Sequence, residues 1–227
     1  MKVPQISEEE AKARIARRVA LDFADGDVVN LGIGIPSMVM DYVPKGVRVL
    51  LQTENGMLGM GPAARGDERT IEIIGAGGAF VTVLPGGSFF ASDVSFGLIR
   101  GGHIDYTVLG TLEVDQEGNI ANWMIPGKLI PGMGGAMDLV TGARKVYVAT
   151  LHTNSGRPKI VRRCSLPLTG KGVVSKIFTE MAVFERLGGR LVLQEIAPDA
   201  DLEAVRALTE ADFDVSANLC AMRGVEG

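Results

Sequence analysis

The sequence is poor in the residues that build metal sites and disulfide frameworks. Its 227 residues include two cysteines, Cys164 and Cys220, and two histidines, His103 and His152. No Cys-x-x-Cys pair occurs, so no metal centre is expected, and the thiols read as ordinary and reduced. An excess of basic charge is also missing. A net charge of −4 and a pI near 5.3 argue against nucleic acid as the main partner. The densest basic stretch, residues 12–18, sits among helix formers and reads as a solvated helix face. No apolar run approaches the roughly 18 residues needed to cross a membrane. The N-terminus MKVPQISEEEAKAR turns polar where an export signal would need its apolar core, so a soluble, cytoplasmic protein is expected.

Glycine, by contrast, is abundant: thirty residues, about twice the usual share. The glycines cluster just after apolar runs, at 32 and 34, 56–61, 75–78, 86–87, 101–102 and 132–135. Such placement suggests backbone passing close to a ligand or to other backbone.

The element pattern is that of an α/β fold. Ser7 and Glu10 have capping-box spacing, and Ala11, Ile15 and Val19 follow as one buried stripe of a helix ending near Ala24-Asp25-Gly26-Asp27. Residues 28–33 read as a strand, Pro36 as the first turn of a second helix, and 47–51 as the next strand, giving a βαβ unit with parallel strands. Residues 80–84, 106–109 and 145–150 read as further buried strands, with 160–163 and 191–195 as candidates. Residues 112–115 read as a strand entering a tight turn. Residues 171–184 and 201–208 read as helices. No repeat and no Pro/Ser linker divides the chain, so one domain is expected, with the last ten or so residues loosely held.

In a parallel sheet, ligands gather at the carboxyl ends of strands. Two segments meet that description: Asn30-Leu31-Gly32-Ile33-Gly34-Ile35-Pro36 and Gln52-Thr53-Glu54-Asn55-Gly56-Met57-Leu58-Gly59-Met60-Gly61-Pro62. Glu54 is either a carboxylate at a strand tip aimed at a ligand or a surface residue in an Asn-Gly turn. Gly32 and Gly34 either cradle an anion or form a plain tight turn. The dinucleotide and P-loop patterns are not met, since position 37 is Ser37 and no Gly-Lys-Ser/Thr follows. The run Gly132-Met133-Gly134-Gly135-Ala136-Met137-Asp138 either points amides at an oxyanion or marks a crowded strand-to-helix crossing. Ser37 is in no G-x-S-x-G elbow, and His103, beside a buried strand, reads as structural.

Taken together, six segments resemble family I CoA-transferases, specifically the B-type subunit, over about residues 16–213. They are VNLGIGIPSMV (29–39), TENGMLGMGP (53–62), IRGGHIDYTVLG (99–110), GNIANWMIPGK (118–128), GMGGAMDLV (132–140) and LPLTGKGVV (166–174). The resemblance implies an α/β fold with a mainly parallel central sheet flanked by helices. It implies that Glu54 is a covalent nucleophile carrying coenzyme A as a thioester, and that Gly135 and Ala136 are backbone donors to the thioester oxygen. Asn30, Gly32, Gly34, Asn55, Asn122, Lys128 and Gly134 are implied to line the substrate and CoA site. Coenzyme A enters as substrate, with no resident cofactor and no metal. The implied partner is a separate A subunit in an A2B2 assembly, and the substrates are acyl-CoA and short-chain carboxylates.

Two positions depart from the family pattern. Thr53 stands where serine is usual, keeping the hydroxyl. Gly78 stands where relatives using succinyl-CoA often have lysine, which implies a monocarboxylate pair such as acetoacetate with acetate or butyrate. The competing expectations are an acyl-CoA hydrolase on the same scaffold and a non-catalytic, metabolite-binding regulatory subunit.

Overall fold

The computed structural model describes residues 1–128 and 132–225. The strands are β1 Val28–Leu31, β2 Leu50–Thr53, β3 Met57–Ala63, β4 Val81–Phe89, β5 Tyr106–Leu109, β6 Glu113–Asp115, β7 Ile120–Ala121, β8 Lys145–Ala149, β9 Thr153–Asn154, β10 Arg157–Pro158, β11 Ile160–Val161, β12 Val174–Phe178, β13 Ala182–Leu187, β14 Arg190–Ile196 and β15 Asp214–Ala221. The helices are α1 Glu8–Ala20, α2 Ser92–Arg100, α3 Ala136–Gly142 and α4 Leu202–Ala207. Ten strands form one sheet in the order β15-β14-β13-β12-β8-β5-β1-β2-β3-β4. The centre, from β12 through β2, is parallel, and antiparallel hairpins extend it on both sides.

The helices cover both faces. Ser7 caps α1 by accepting from the Glu10 amide at 3.1 Å. Ile15, Ala16 and Val19 then pack on Val29, Val108, Tyr147 and Phe178 of the sheet. Side chains one position along the strands, such as Val146, Val148 and Ile177, point the other way and meet Val140 of α3 and Val205 of α4. The helix α1 stops at Ala20, short of the Ala24-Asp27 boundary, because Asp22 and Phe23 turn back on Val19 and Ala20 through i→i−3 bonds.

Several sequence expectations are corrected. Residues 171–184 are not a helix but β12 and the start of β13, an antiparallel hairpin turning at Thr179. Phe178 and Val183 enter the core on one face while Ile177 and Phe184 enter it on the other. Burial on both faces erases the alternation that would have marked a strand. The segment after Pro36 is a 3₁₀ helix, Pro36–Tyr42, where an α-helix was expected, and β2 runs about two residues later than 47–51. Strand β4 lies at the sheet edge and is largely exposed, not buried, and its partner β3 was hidden among glycines. Those glycines admit close strand approach: an added Cβ at Gly59 would stand 2.9 Å from the Gly87 Cα. The final residues also differ from expectation, since 218–221 complete β15 and Met222 is buried, while 226–227 lie outside the described residues.

The basic face of α1 is corrected too. Arg18 is 2% exposed and forks onto Glu195 at 2.6 and 2.7 Å while also holding Asp22 at 2.7 Å. Lys176 and Arg223 donate to Asp22 as well. Arg14 is likewise buried and pairs with Asp199. These pairs tie α1 to β12, β14 and the C-terminal segment, in bidentate geometry that repays part of the desolvation cost.

Asp22, Glu195 and His152 set an acid limit. Burial would raise the Asp22 and Glu195 carboxyls, but Arg18 and its neighbours outweigh it and hold both below their ordinary values. His152, enclosed between the Thr179 and Thr209 hydroxyls, is pushed by burial down to about 4. The unfolded chain therefore binds a proton at His152 near its ordinary value of 6.5, whereas the folded chain does so only near 4. Stability should fall as pH drops through that window, by on the order of 3 kcal/mol from this group. The carboxylate contribution, present above the unfolded carboxyl range, should be lost at still lower pH. Urea unfolding at pH 7.5, 5.5 and 4.5 checks this. H152Q should flatten the slope between 6.5 and 4, and an unchanged slope would refute the assignment.

Candidate active site

Glu54 is the first residue beyond β2, in the turn Glu54-Asn55-Gly56 that reverses the chain into β3. The turn closes through the Gly56 amide donating to the Thr53 carbonyl at 3.1 Å. Gly56 has φ +114° and no room for a Cβ, which would collide with the Phe90 carbonyl. Asn55 donates to the Ile74 carbonyl at 2.8 Å and accepts from the Thr53 hydroxyl. Asn55 thus braces the turn against the 74–78 loop.

The half-buried Glu54 side chain points at the segment leading into α3. The Gly135 amide donates to Glu54 Oε1 at 3.4 Å, at the outer limit for such a bond. A Cβ added at Gly135 would lie 2.9 Å from Glu54 Oε2 and 3.0 Å from its Cδ. At Gly134 it would lie 3.6 Å from Oε1. Gly135 therefore lets main chain approach a carboxylate that a side chain there would displace. No ion pair to Glu54 forms among the described residues, so no cation ties up its charge.

The other expected site residues mostly have partners away from Glu54. Asn30 is buried and donates both to the Gln52 carbonyl at 3.1 Å and to Gln52 Oε1 at 2.9 Å, so it braces β1 against β2. Gly32 packs tightly on Val108 and Leu109 at the end of β5, and Gly34, at φ +85°, turns the chain into the 3₁₀ helix in open space. Asn122 spends its side chain on the Gly110 carbonyl and Thr169, joining β7 to the end of β5. Lys128 is exposed in a turn, its amide bonded to Ile125, and nothing joins it to Glu54. The Ala136 amide is used inside its own turn, donating to the Met133 carbonyl at 3.0 Å. Of the two expected amide donors, only Gly135 faces the carboxylate.

The sequence reading missed what stands behind Glu54. Gln52 and Ser95 are buried and bonded to each other, and Phe96 packs on Gly135. A visible signal was Gln52 itself, a polar residue that directly follows the apolar run 49–51 and opens the Glu54 segment, though the sequence reading gave it no role. Among the described residues no cluster of three or more His, Cys, Asp or Glu could hold a metal. No helix among them is long and apolar enough to cross a membrane.

The arrangement can present a carboxylate to an electrophilic carbonyl and offer an amide to an oxygen of that carboxylate. Comparison with known proteins identifies the family. Residues 12–208 match the family model described as coenzyme A transferase. The chain is 54% identical over 216 residues to the acetate CoA-transferase subunit beta of Escherichia coli K12, covering 95% of this chain and 99% of that one. It is 48% identical over 221 residues to the human mitochondrial succinyl-CoA:3-ketoacid coenzyme A transferase 2, covering 96% of this chain but only 43% of that longer one. The crystal structure of the acyl-CoA transferase YdiF apoenzyme from Escherichia coli O157:H7 superposes with a TM-score of 0.75 at 23% identity, over 98% of this chain and 44% of that chain. By the span of the family match and by these identities, the chain belongs to the coenzyme A transferase family.

Proposed function

We propose that this chain is the glutamate-bearing subunit of an enzyme that moves coenzyme A between short-chain carboxylates by way of a thioester on Glu54. The family transfers coenzyme A, and relatives named as subunit beta imply a partner subunit. The observation that carries the finer reading is the Glu54 carboxylate against the side-chain-free Gly135 amide.

The chemistry needs neither metal nor base, because donor and acceptor acids are already carboxylates near neutral pH. A Glu54 carboxylate oxygen attacks the donor thioester carbonyl. The carbon–sulfur bond breaks, leaving an acyl-glutamyl anhydride and CoA thiolate. The thiolate attacks the glutamyl carbonyl and expels the first acid as carboxylate, leaving glutamyl-CoA. The acceptor carboxylate then runs the two steps in reverse, which gives ping-pong kinetics. When the thiolate attacks the glutamyl carbonyl, negative charge develops on a Glu54 oxygen, and the Gly135 amide at Oε1 supports the role of donor to it. Ala136 joins that role only by exchanging its bond to Met133. One such donor contributes on the order of 3 kcal/mol, and holding the reactants together contributes roughly 7–11 kcal/mol.

Water must be excluded from the anhydride and thioester. Exposed apolar side chains stand on segments next to the site: Ile33 after β1, Ile71 before the 74–78 loop, Phe89 and Val94 beside Phe90, and Met133 beside Gly134. They support docking of an A-type subunit over Glu54; the same reading takes the present chain as one domain of an A2B2 assembly in the cytoplasm. The human relative, more than twice this chain's span, has length for a second half in the same polypeptide.

For the acids themselves, the reading is a monocarboxylate pair such as acetoacetate with acetate or butyrate. Gly78 brings no side chain to the 74–78 loop, which supports the lack of a second carboxylate-binding cation there.

Three outcomes are expected from the chain co-expressed with its A-type partner. E54Q should assemble normally yet transfer no CoA, and peptide mass analysis of wild type given acyl-CoA should find CoA on Glu54; substantial activity in E54Q refutes the covalent role. G135A should fold but lose about a hundredfold in kcat, because its methyl displaces the carboxylate and its donor; near-normal kcat removes the amide from the mechanism. Steady-state turnover should favour acetyl-CoA over succinyl-CoA as donor, and a strong succinyl preference overturns the monocarboxylate reading.

A further inference from the structure

Resting on the reading of Glu54 as nucleophile, we propose that α2 is the spacer that sets the distance between Glu54 and the Gly135 amide, with Ser95 and Arg100 as its positioning residues. The helix touches both halves of the site. On one side, Ser95 is fully buried, and its hydroxyl donates to the Thr53 carbonyl, the last carbonyl before Glu54, at 3.1 Å. Gln52 Nε2 donates both to that carbonyl at 3.1 Å and to Ser95 Oγ at 2.7 Å. With the Gly56 amide, three donors converge on one oxygen. Asn30 completes the set from β1 by donating to Gln52 Oε1. Every donor in this buried group has an acceptor, so the end of β2 is held in one arrangement.

On the other side, Phe96 and Arg100 address the glycine segment. The Phe96 ring reaches within 3.2 Å of where a Gly135 Cβ would stand. The Arg100 guanidinium lies over the same ring, 5.7 Å from its centre, and donates to Asp138 in the first turn of α3 at 2.7 Å. Below them Ile99 and Leu139 pack together, and Gly142 lies against the Ile99 carbonyl with no space for a side chain. The segment leading into α2 grips the turn as well, since the Phe90 amide donates to the Gly56 carbonyl at 2.9 Å. The nucleophile and its donor lie on separate segments, 81 residues apart in sequence. One short helix bonded to both therefore fixes their separation. The 3.4 Å bond sits where small shifts decide whether it forms.

The test uses the co-expressed complex with acetoacetyl-CoA as donor and acetate as acceptor, measuring kcat, KM and the single-turnover rate of CoA attachment to Glu54 by peptide mass. S95A should attach CoA ten- to a hundredfold more slowly per folded site, with KM for acetoacetyl-CoA changed less than about threefold. The surface variant R100D should slow attachment three- to tenfold with its unfolding temperature little changed, and R100D/D138R should regain most of the wild-type rate. Wild-type attachment rates in S95A and R100D overturn the spacer role, as does a loss that follows only the folded fraction, or an R100D loss that the paired swap fails to restore. If the wild-type complex itself never carries CoA on Glu54, the covalent reading has failed instead, which separates the two claims.

Discussion

The proposed site depends on one steric constraint: a carboxylate and a main-chain amide must come together with nothing on the Cα between them. Gly135 meets it, since a single added methyl would stand within 3.0 Å of the Glu54 carboxyl carbon. A backbone donor suits an oxyanion because it needs no titration and loses no rotamer freedom when the charge develops. Part of the chain's excess of glycine has this physical purpose at 135, and another part lets β3 and β4 pair closely at 59 and 87.

Holding that contact is the work of the surrounding layers. The parallel strands β1 and β2 end at the same side of the sheet, so Gly32 and Glu54 emerge as neighbours. Antiparallel β3 turns the chain back at once, which fixes Glu54 at a tight corner and not on a long loop. Beneath the corner lies a polar layer of Asn30, Gln52 and Ser95 within an otherwise apolar sandwich. Such a layer costs desolvation, but when its hydrogen bonds are complete it selects a single geometry.

The opposite face of the sheet is secured differently. Arg18, Asp22 and Glu195, with Lys176 and Arg223, lock α1 and the C-terminal segment to β12 and β14 through charge-assisted bonds. Removing one partner would leave a buried charge uncompensated, so these groups act as a unit. The two faces divide the labour: ionic fastening under α1, and a neutral hydrogen-bonded layer under α2, near a carboxylate that has no ion pair among the described residues.

The sequence alone determined the helix cap at Ser7, the buried stripe of α1, the strands β1, β5 and β8, and the candidacy of Glu54, because caps, apolar periodicity and turn dipeptides are local signals. Its motifs also marked the 132–136 glycine run as chemistry-bearing. Only the tertiary structure decided that residues 174–187 form a hairpin, that Arg14 and Arg18 are buried, and that Asn30 and Asn122 spend their amides on bracing neighbouring strands. It also decided that Gly135, and not Ala136, turns its amide to Glu54. Each of these outcomes depends on partners far away in the chain. A residue buried on both faces loses its period, a cation is buried only once its carboxylate arrives from another strand, and an amide's direction is set by the packing of α3 on α2.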